Sequence, residues 1–435
     1  VKRYKLRVLA LLCCAALLAG CSVLPQGTVQ VEELLRAPRL SGDYGEMQTA
    51  LNEWLGESAQ LKYPLNGELL SPFLMGDWDG DGEQDAAILY TTAQTTNVWL
   101  AILQRNAESR WSVCSAVEGL ADTVESVSFA RLQDSAADQI VVGYAATQGD
   151  EYLAVYAYLD GEVDTLLEQP YSQYLIEDIT GTGHEDIVLL RAGDEETPAQ
   201  IELLTADREG NFQQVTVLGL SPDRFTGCAS LASGAGADRR HYLVLDGWTG
   251  VSGTNLASVL LRFDEESQQM VEASLISADE LYEASLRNVS SLTSRDLDGD
   301  GIVEIPTQPV LEGVQNLVQS RRIDLIVWMD YTSVRPQKSF GLLDEEYGYY
   351  LALPSEWQED LQLRDGEKTG TIELWDLAGE QLYMTVRITS AQANATGWTR
   401  LGVLAQQQLQ VKMDADVSES VSATGYRLAK ALYIL

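Results

Sequence analysis

The sequence predicts a mainly β protein of repeated antiparallel units, followed by a smaller β-rich or α+β domain. Two observations carry that prediction. Residues 73–90 read FLMGDWDGDGEQDAAILY, and loops of this design recur before later apolar runs. Between them lie short segments rich in β-branched and aromatic residues: TNVWLAILQR, EYLAVYAYLDGEV, AQIELLTADREGNFQQV and LASVLLRFDEES. Their Asp-Gly, Glu-Gly and acidic turns punctuate strands rather than helices. A unit of one turn and three or four strands is too small to bury its own apolar face. Stacking such units radially, as in a β-propeller, removes that difficulty.

The chain opens with Lys2, Arg3, Lys5 and Arg7, then an apolar run ending in small residues. This is the charged and apolar pattern of a secretory leader, and it sets residues 1–20 apart as a signal peptide. Leu18-Ala19-Gly20-Cys21 resembles the lipobox of bacterial lipoproteins. The resemblance implies cleavage before Cys21 by signal peptidase II, lipidation of Cys21 with a thioether-linked diacylglycerol, and a membrane-anchored, extracytoplasmic protein. Each buried methylene contributes about 0.8 kcal/mol, so two acyl chains hold where one is marginal. Residues 21–66 read as a lipidated tether and a short amphipathic helix over Tyr44–Leu55, with Met47, Leu51, Trp54 and Leu55 at helical spacing and Trp54 in its core.

Charge excludes one class of partner. Against 29 Lys and Arg stand 65 Asp and Glu, a formal net charge of −36 at pH 7, and the leader contributes only basic residues to that balance. A chain this negative does not wrap a nucleic-acid backbone. Of five cysteines, Cys13 and Cys14 leave with the leader and Cys21 takes the lipid. Cys114 and Cys228 remain, either as one disulfide or as two separate buried thiols; neither has metal-site spacing.

The repeat domain is expected over 67–335. In its first loop Asp77, Asp79, Asp81 and Asp85 stand at positions 1, 3, 5 and 9, with Gly80 and Gly82 between. SRDLDGDGIVEIP repeats the pattern with Asp296, Asp298, Asp300 and Glu304. EDITGTGHEDIVLL is weaker, with Asp178, Thr180, Thr182 and Asp186 in the same slots and His184 at position 7. ARLQDSAADQIVVGY, with Asp138, and LASGAGADRRHYLVL are eroded copies. Aligned on their apolar runs, the five recur every 50 to 60 residues, roughly.

Carboxylates crowded this closely repel unless a cation lies among them. Hard oxygen donors at alternating positions suit Ca²⁺. The expected ligands are the four acids of each strong loop, plus the backbone carbonyls of Glu83 and Ile302 at position 7. An EF-hand would need a bidentate Glu at position 12, where the two loops have Ile88 and Thr307.

This loop, repeated through a β-rich region, resembles the FG-GAP/VCBS repeat of integrin-like β-propellers, and the resemblance covers about residues 67–330. It implies a six- or seven-bladed array; five units are recognisable, so a further blade is expected around 275–330. The arrangement also resembles uncharacterised lipoproteins of anaerobic Gram-positive bacteria.

Residues 336–435 are expected to form the smaller domain, beginning near Pro336. Within it, TRLGVLAQQQLQVKM suits a helix or a strand, and Tyr347, Tyr349, Tyr350 and Trp357 either line a pocket or divide between core and surface.

Catalytic signals are sparse. His184 and His241 are the two histidines, and no G-x-S-x-G elbow, P-loop or H-E-x-x-H motif occurs. Paired carboxylates run glycoside hydrolysis, but 65 acids do not single out a pair. The reading is a calcium-binding lipoprotein that binds or scaffolds a surface protein or glycan. The alternatives are an enzyme acting on extracellular polymer and an envelope-assembly factor. A Cys21→Ser variant should lose lipidation and leave the membrane fraction; mass spectrometry of the mature N-terminus checks it.

Overall fold

The computed structural model describes residues 42–133, 136–147, 149, 151–193, 198–207, 210–250, 253–393 and 396–435. The leader, the lipobox and Cys21 lie outside the described residues. The fold is mainly β, as expected. Helix α1 (Asp43–Leu55) buries Met47 and Leu51 but leaves Trp54 half exposed. Trp54 is therefore not the core residue that helical spacing suggested. With residues 105–112, α1 belongs to one compact unit; residues 59–104 and 113–435 form a second. Within the first, Arg105 pairs with Asp43 at 3.0 Å and stacks over Trp111.

Four sheets follow one another along the chain. The first comprises β1 (Gln60–Leu61), β2 (Phe73–Gly76), β3 (Asp85–Thr91), β4 (Trp99–Arg105) and β5 (Trp111–Glu118). The second is β6 (Thr123–Ala130), β7 (Gln139–Ala145), β8 (Glu151–Leu159) and β9 (Glu162–Tyr171). The third is β10 (Gln173–Glu177), β11 (Asp186–Arg191), β12 (Gln200–Ala206) and β13 (Phe212–Gly219). The fourth is β14 (Gly227–Ala235), β15 (His241–Thr249), β16 (Asn255–Asp264) and β17 (Gln269–Glu272). Each contains the four-stranded antiparallel meander of a propeller blade.

Alternation along the second strand of each blade decides how blades stack. On β7, Ile140, Val142 and Tyr144 pack with the first sheet, whereas Val141 packs with the third. On β11, Ile187 and Leu189 face the second sheet and Val188 and Leu190 the fourth. These strands are buried on both faces and read as continuous apolar runs, as the physics of a sandwiched strand requires.

After helix α2 (Ala278–Ala284), the chain lays down β18 (Ile305–Thr307), β19 (Val314–Asn316), β20 (Ile323–Met329), β21 (Gln337–Asp344), β22 (Tyr349–Leu353), β23 (Leu361–Asp365), β24 (Thr371–Trp375), β25 (Leu382–Ser390), β26 (Thr399–Leu404), β27 (Gln407–Lys412), helix α3 (Ala415–Ala423) and β28 (Leu432–Ile434). Strands β18, β20, β21, β22 and β28 make the fifth sheet; β19 and β23–β27 make the sixth. The stretch expected to hold a further blade, 275–330, thus opens the fifth sheet, with a single Arg295–Glu304 bridge in place of its first strand.

Pro336 does not separate two sheets. It belongs to the turn between β20 and β21, which pair from Met329 and Gln337 to Ile323 and Asp344. The smaller C-terminal part is β-rich, and its six-stranded sheet shares a core with the fifth. The ambiguous TRLGVLAQQQLQVKM stretch is the β26–β27 hairpin. Tyr349, Tyr350 and Trp357 are buried, and Trp357 stacks on Tyr383 at 4.7 Å, so these aromatics fill the core rather than line a pocket. Cys114 and Cys228 are unbridged, and Cys114 is exposed.

One buried ion pair ties the fourth sheet to the chain that follows it. Asp246 and Arg287 meet at 2.7 Å with both side chains fully buried. Asp246 also accepts from Ser230, Ser258 and both the amide and hydroxyl of Ser294. Removing one partner strands a buried charge, at a cost of about 3–5 kcal/mol. Asp246→Ala should lower unfolding free energy by about that much, measured by urea denaturation, while Cys114→Ala should leave it nearly unchanged.

Candidate metal centres

In the first three sheets the repeat loop follows β2, β6 or β10, and its ninth residue opens the next strand, β3, β7 or β11; in the fifth sheet the ninth residue, Glu304, directly precedes β18. The first-sheet partners are Gly76 and Asp85; their equivalents are Ala130 and Gln139, Glu177 and Asp186, and Arg295 and Glu304. In the fourth sheet a shorter loop joins Ala235 to His241. Asp85, Gln139, Asp186 and Glu304 are all buried. Each side chain accepts from an amide early in its own loop: Trp78 at 3.0 Å, and Leu132, Thr180 and Leu297 at 2.8 Å.

In the first loop, Asp77 turns inward and accepts from the amides of Gly80, Asp81 and Gly82. Gly80 and Gly82 have φ of 78° and 87°, a region open to glycine and costly for other residues. Gly76 is required differently: a Cβ there would meet the Trp78 ring at 2.5 Å. The loop at Asp296 repeats the pattern, with the amides of Gly299, Asp300 and Gly301 on its carboxylate.

These turns converge acidic oxygens. Carboxylate oxygens of Asp296, Asp298, Asp300 and Glu304 lie within 4.8 Å of one another, as do those of Asp77, Asp79 and Asp85. Asp81 stands outside the first cluster, its carboxylate accepting from the Glu83 amide. The third loop closes on itself: Thr180 Oγ1 donates to Asp186 at 2.8 Å and lies 3.4 Å from Thr182 Oγ1, while Asp178 accepts from Thr182 and Gly183. His184 is half-buried near its end.

The two strong clusters differ in electrostatics. Asp79 accepts from the neutral Gln104 amide at 2.7 Å. In the other, Lys338 pairs with Asp300 and approaches Glu304 Oε1 only to 3.7 Å. That Oε1 is buried and has no hydrogen-bond donor. An unpartnered, buried carboxylate oxygen facing three more carboxylates fits a hard cation, for which an all-oxygen donor set is suited. Burial raises Asp85 above its ordinary value, with the Asp79 and Asp81 charges adding to the rise and the Trp78 amide and Gln104 opposing it. Burial likewise raises Asp298, with Asp300 adding to it. Glu304 is pushed up to about 7 by burial, with Asp298 and Asp300 repelling its charge and the Leu297 amide and Lys338 opposing the rise.

The remaining two copies carry cations of their own. Arg131 stands where the first aspartate would be and pairs with Asp138 at 3.2 Å. In the fourth loop Arg239, Arg240 and His241 follow Asp238. Sequence patterning flagged that loop as poor in acids but did not reveal that its basic side chains gather at one cavity.

Successive loops touch in chain order. Gly80 lies against Ala136, Arg131 N donates to Glu185, Glu177 pairs with His241, and Ala235 N donates to Gly301 O at 2.8 Å.

No family model matches the chain, and no curated protein matches it. Among solved structures, the chain is similar to the Dos1 propeller at 10% identity over 82% of each chain, with a TM-score of 0.30, a likeness too slight to bear on function.

Without divalent ions, Glu304 imposes a pH dependence. Its carboxyl titrates near 4.5 when unfolded and near 7 when folded, so the folded state binds the extra proton between those values. The stability it contributes is present below pH 4.5 and is lost as pH rises through 7. Chelator-treated protein should melt higher at pH 5 than at pH 8, and calorimetry of Glu304→Gln should show a smaller difference.

Proposed function

We propose that the protein is a lipid-anchored, extracytoplasmic, calcium-binding scaffold whose β-array presents a rigid surface to a surface protein or glycan. The observation that carries the calcium reading is the four-carboxylate cluster at Asp296, Asp298, Asp300 and Glu304, with the buried Glu304 Oε1 left without a donor. The Asp77, Asp79 and Asp85 cluster supports a second site. The loop at Asp178 is the weaker candidate, because its threonines and acids already satisfy one another.

The finer kinship, to FG-GAP/VCBS-repeat lipoproteins, rests on the same loops and on their position between paired strands. Calcium in these loops acts on architecture. Each cluster sits early in its sheet and beside a neighbouring loop in the row, so neutralising its charge stiffens a junction between blades. A binding role follows from that stiffness: a surface assembled from ordered loops loses little conformational entropy when a partner docks.

With about 1 mM free Ca²⁺ and a dissociation constant of about 10⁻⁴ M, each site would add about 1.4 kcal/mol of stability. Calcium should therefore raise the melting temperature by a few degrees and give measurable binding heat. Asp298→Asn and Asp79→Asn should each remove part of both effects. An unchanged melting temperature together with no heat would overturn the calcium reading. The binding reading is tested with an array of surface glycans and surface proteins alongside polymer-turnover assays. Retention without turnover is expected, whereas polymer cleavage would replace a scaffold by an enzyme.

A further inference from the structure

We propose that the cavity between the third and fourth loops binds a tetrahedral oxyanion, the phosphate or sulfate group of a monosaccharide-sized ligand. The open cavity has a volume of about 320 Å³, and Arg239, Arg240, His241 and Arg262 are among the residues that line it. This volume lies at the small end of the range for ligand pockets, enough for an oxyanion with one ring attached.

The charge distribution singles the cavity out. In a chain of 29 basic and 65 acidic residues, three arginines and a histidine converge on one space. Their existing partners leave donors to spare. Arg262, four-fifths buried, donates through Nη1 to the Phe263 carbonyl at 3.1 Å, and its Nη2 stands 3.6 Å from Asp264. Arg240 Nε is 3.8 Å from Asp238, beyond hydrogen-bond distance. Arg239 forms no ion pair among the described residues, and its φ of 64° belongs to a region that side-chain-bearing residues rarely adopt. The turn holds it there, in the lining of the same cavity as Arg240 and Arg262.

Acidic groups also face the space. Asp178 lines it, but both its oxygens accept loop amides. Glu265 lines its exposed edge. Glu177 is engaged by His241 and Ser233. Guanidinium groups present planar pairs of N–H donors that match phosphate and sulfate oxygens, which favours a tetrahedral oxyanion over a neutral ligand. The net charge of −36 opposes every anion at long range, so the site works only through these local donors. This proposal does not depend on calcium at the acidic loops.

The test is isothermal titration and equilibrium dialysis of the full chain at low ionic strength, with inorganic phosphate, sulfate, glucose 6-phosphate and glucose. One saturable anion site is expected, with glucose not binding. Arg262→Gln should weaken it roughly tenfold or more, as expected for losing a charge-assisted hydrogen bond. Arg239→Gly should weaken it while raising the melting temperature, because glycine accepts the positive φ; that pairing separates lost binding from lost folding. Lys430→Gln, at a different cavity, should bind as the parent does. Tighter binding of glucose 6-phosphate than of phosphate identifies an ester as the ligand; equal binding identifies the free oxyanion. Absence of saturable binding by all three anions would overturn the proposal. So would unchanged affinity in Arg262→Gln and Arg239→Gly, or glucose binding as tightly as its phosphate.

Discussion

Four of the five repeat loops depend on one hydrogen bond, from an amide early in the loop to the buried side chain at its ninth position. A tight turn at the start of a covered strand leaves a backbone donor beyond the reach of water, and leaving it unmade costs about 1–3 kcal/mol. Asp85, Gln139, Asp186 and Glu304 all meet this need, with different charge and length. Gln139 is informative because it caps the turn without charge. The buried acceptor therefore serves the turn itself, and the negative charge of Asp85 and Glu304 is an addition that a cation can exploit.

Once that acceptor is in place, the outer positions are free to vary in sign. The first loop surrounds its acceptor with aspartates, and the fifth-sheet loop does the same while holding Lys338 against Asp300. The second substitutes Arg131 for the leading acid. The fourth drops the acceptor arrangement, shortens, and brings arginines instead. The same position between paired strands thus supports acidic, self-neutralised and basic loops side by side.

Much of the fold was legible because its signals are local. Apolar runs following Asp-Gly turns marked the second strands, and the glycines of the two strong loops have the positive φ that the motif implied. What escaped were contacts set by distant chain. Asp81 shares the spacing of Asp79, yet only Asp79 joins the cluster, and Gln104 on another strand binds it. Lys338 lies 38 residues from Asp300 and has no place in the loop pattern. Trp54 has helical spacing but is not fully covered by any element among the described residues, while Tyr349 and Tyr350 occupy adjacent strand positions and are both buried because layers cover both faces. The break expected at Pro336 reflected local polarity; the strands on either side of it pair over seven partners.

The alternation of β7 and β11 between neighbouring clusters sets the length scale of cooperativity. A strand that supplies Val141 to one side and Ile140 and Val142 to the other cannot detach without opening two cores at once. The loss of one sheet is then felt by both neighbours, as in a chain of nearest-neighbour-coupled units. Slippage by one residue would be worse, because it exchanges the two faces and mismatches both interfaces together. Such a chain resists local fraying wherever a sheet is packed between two neighbours.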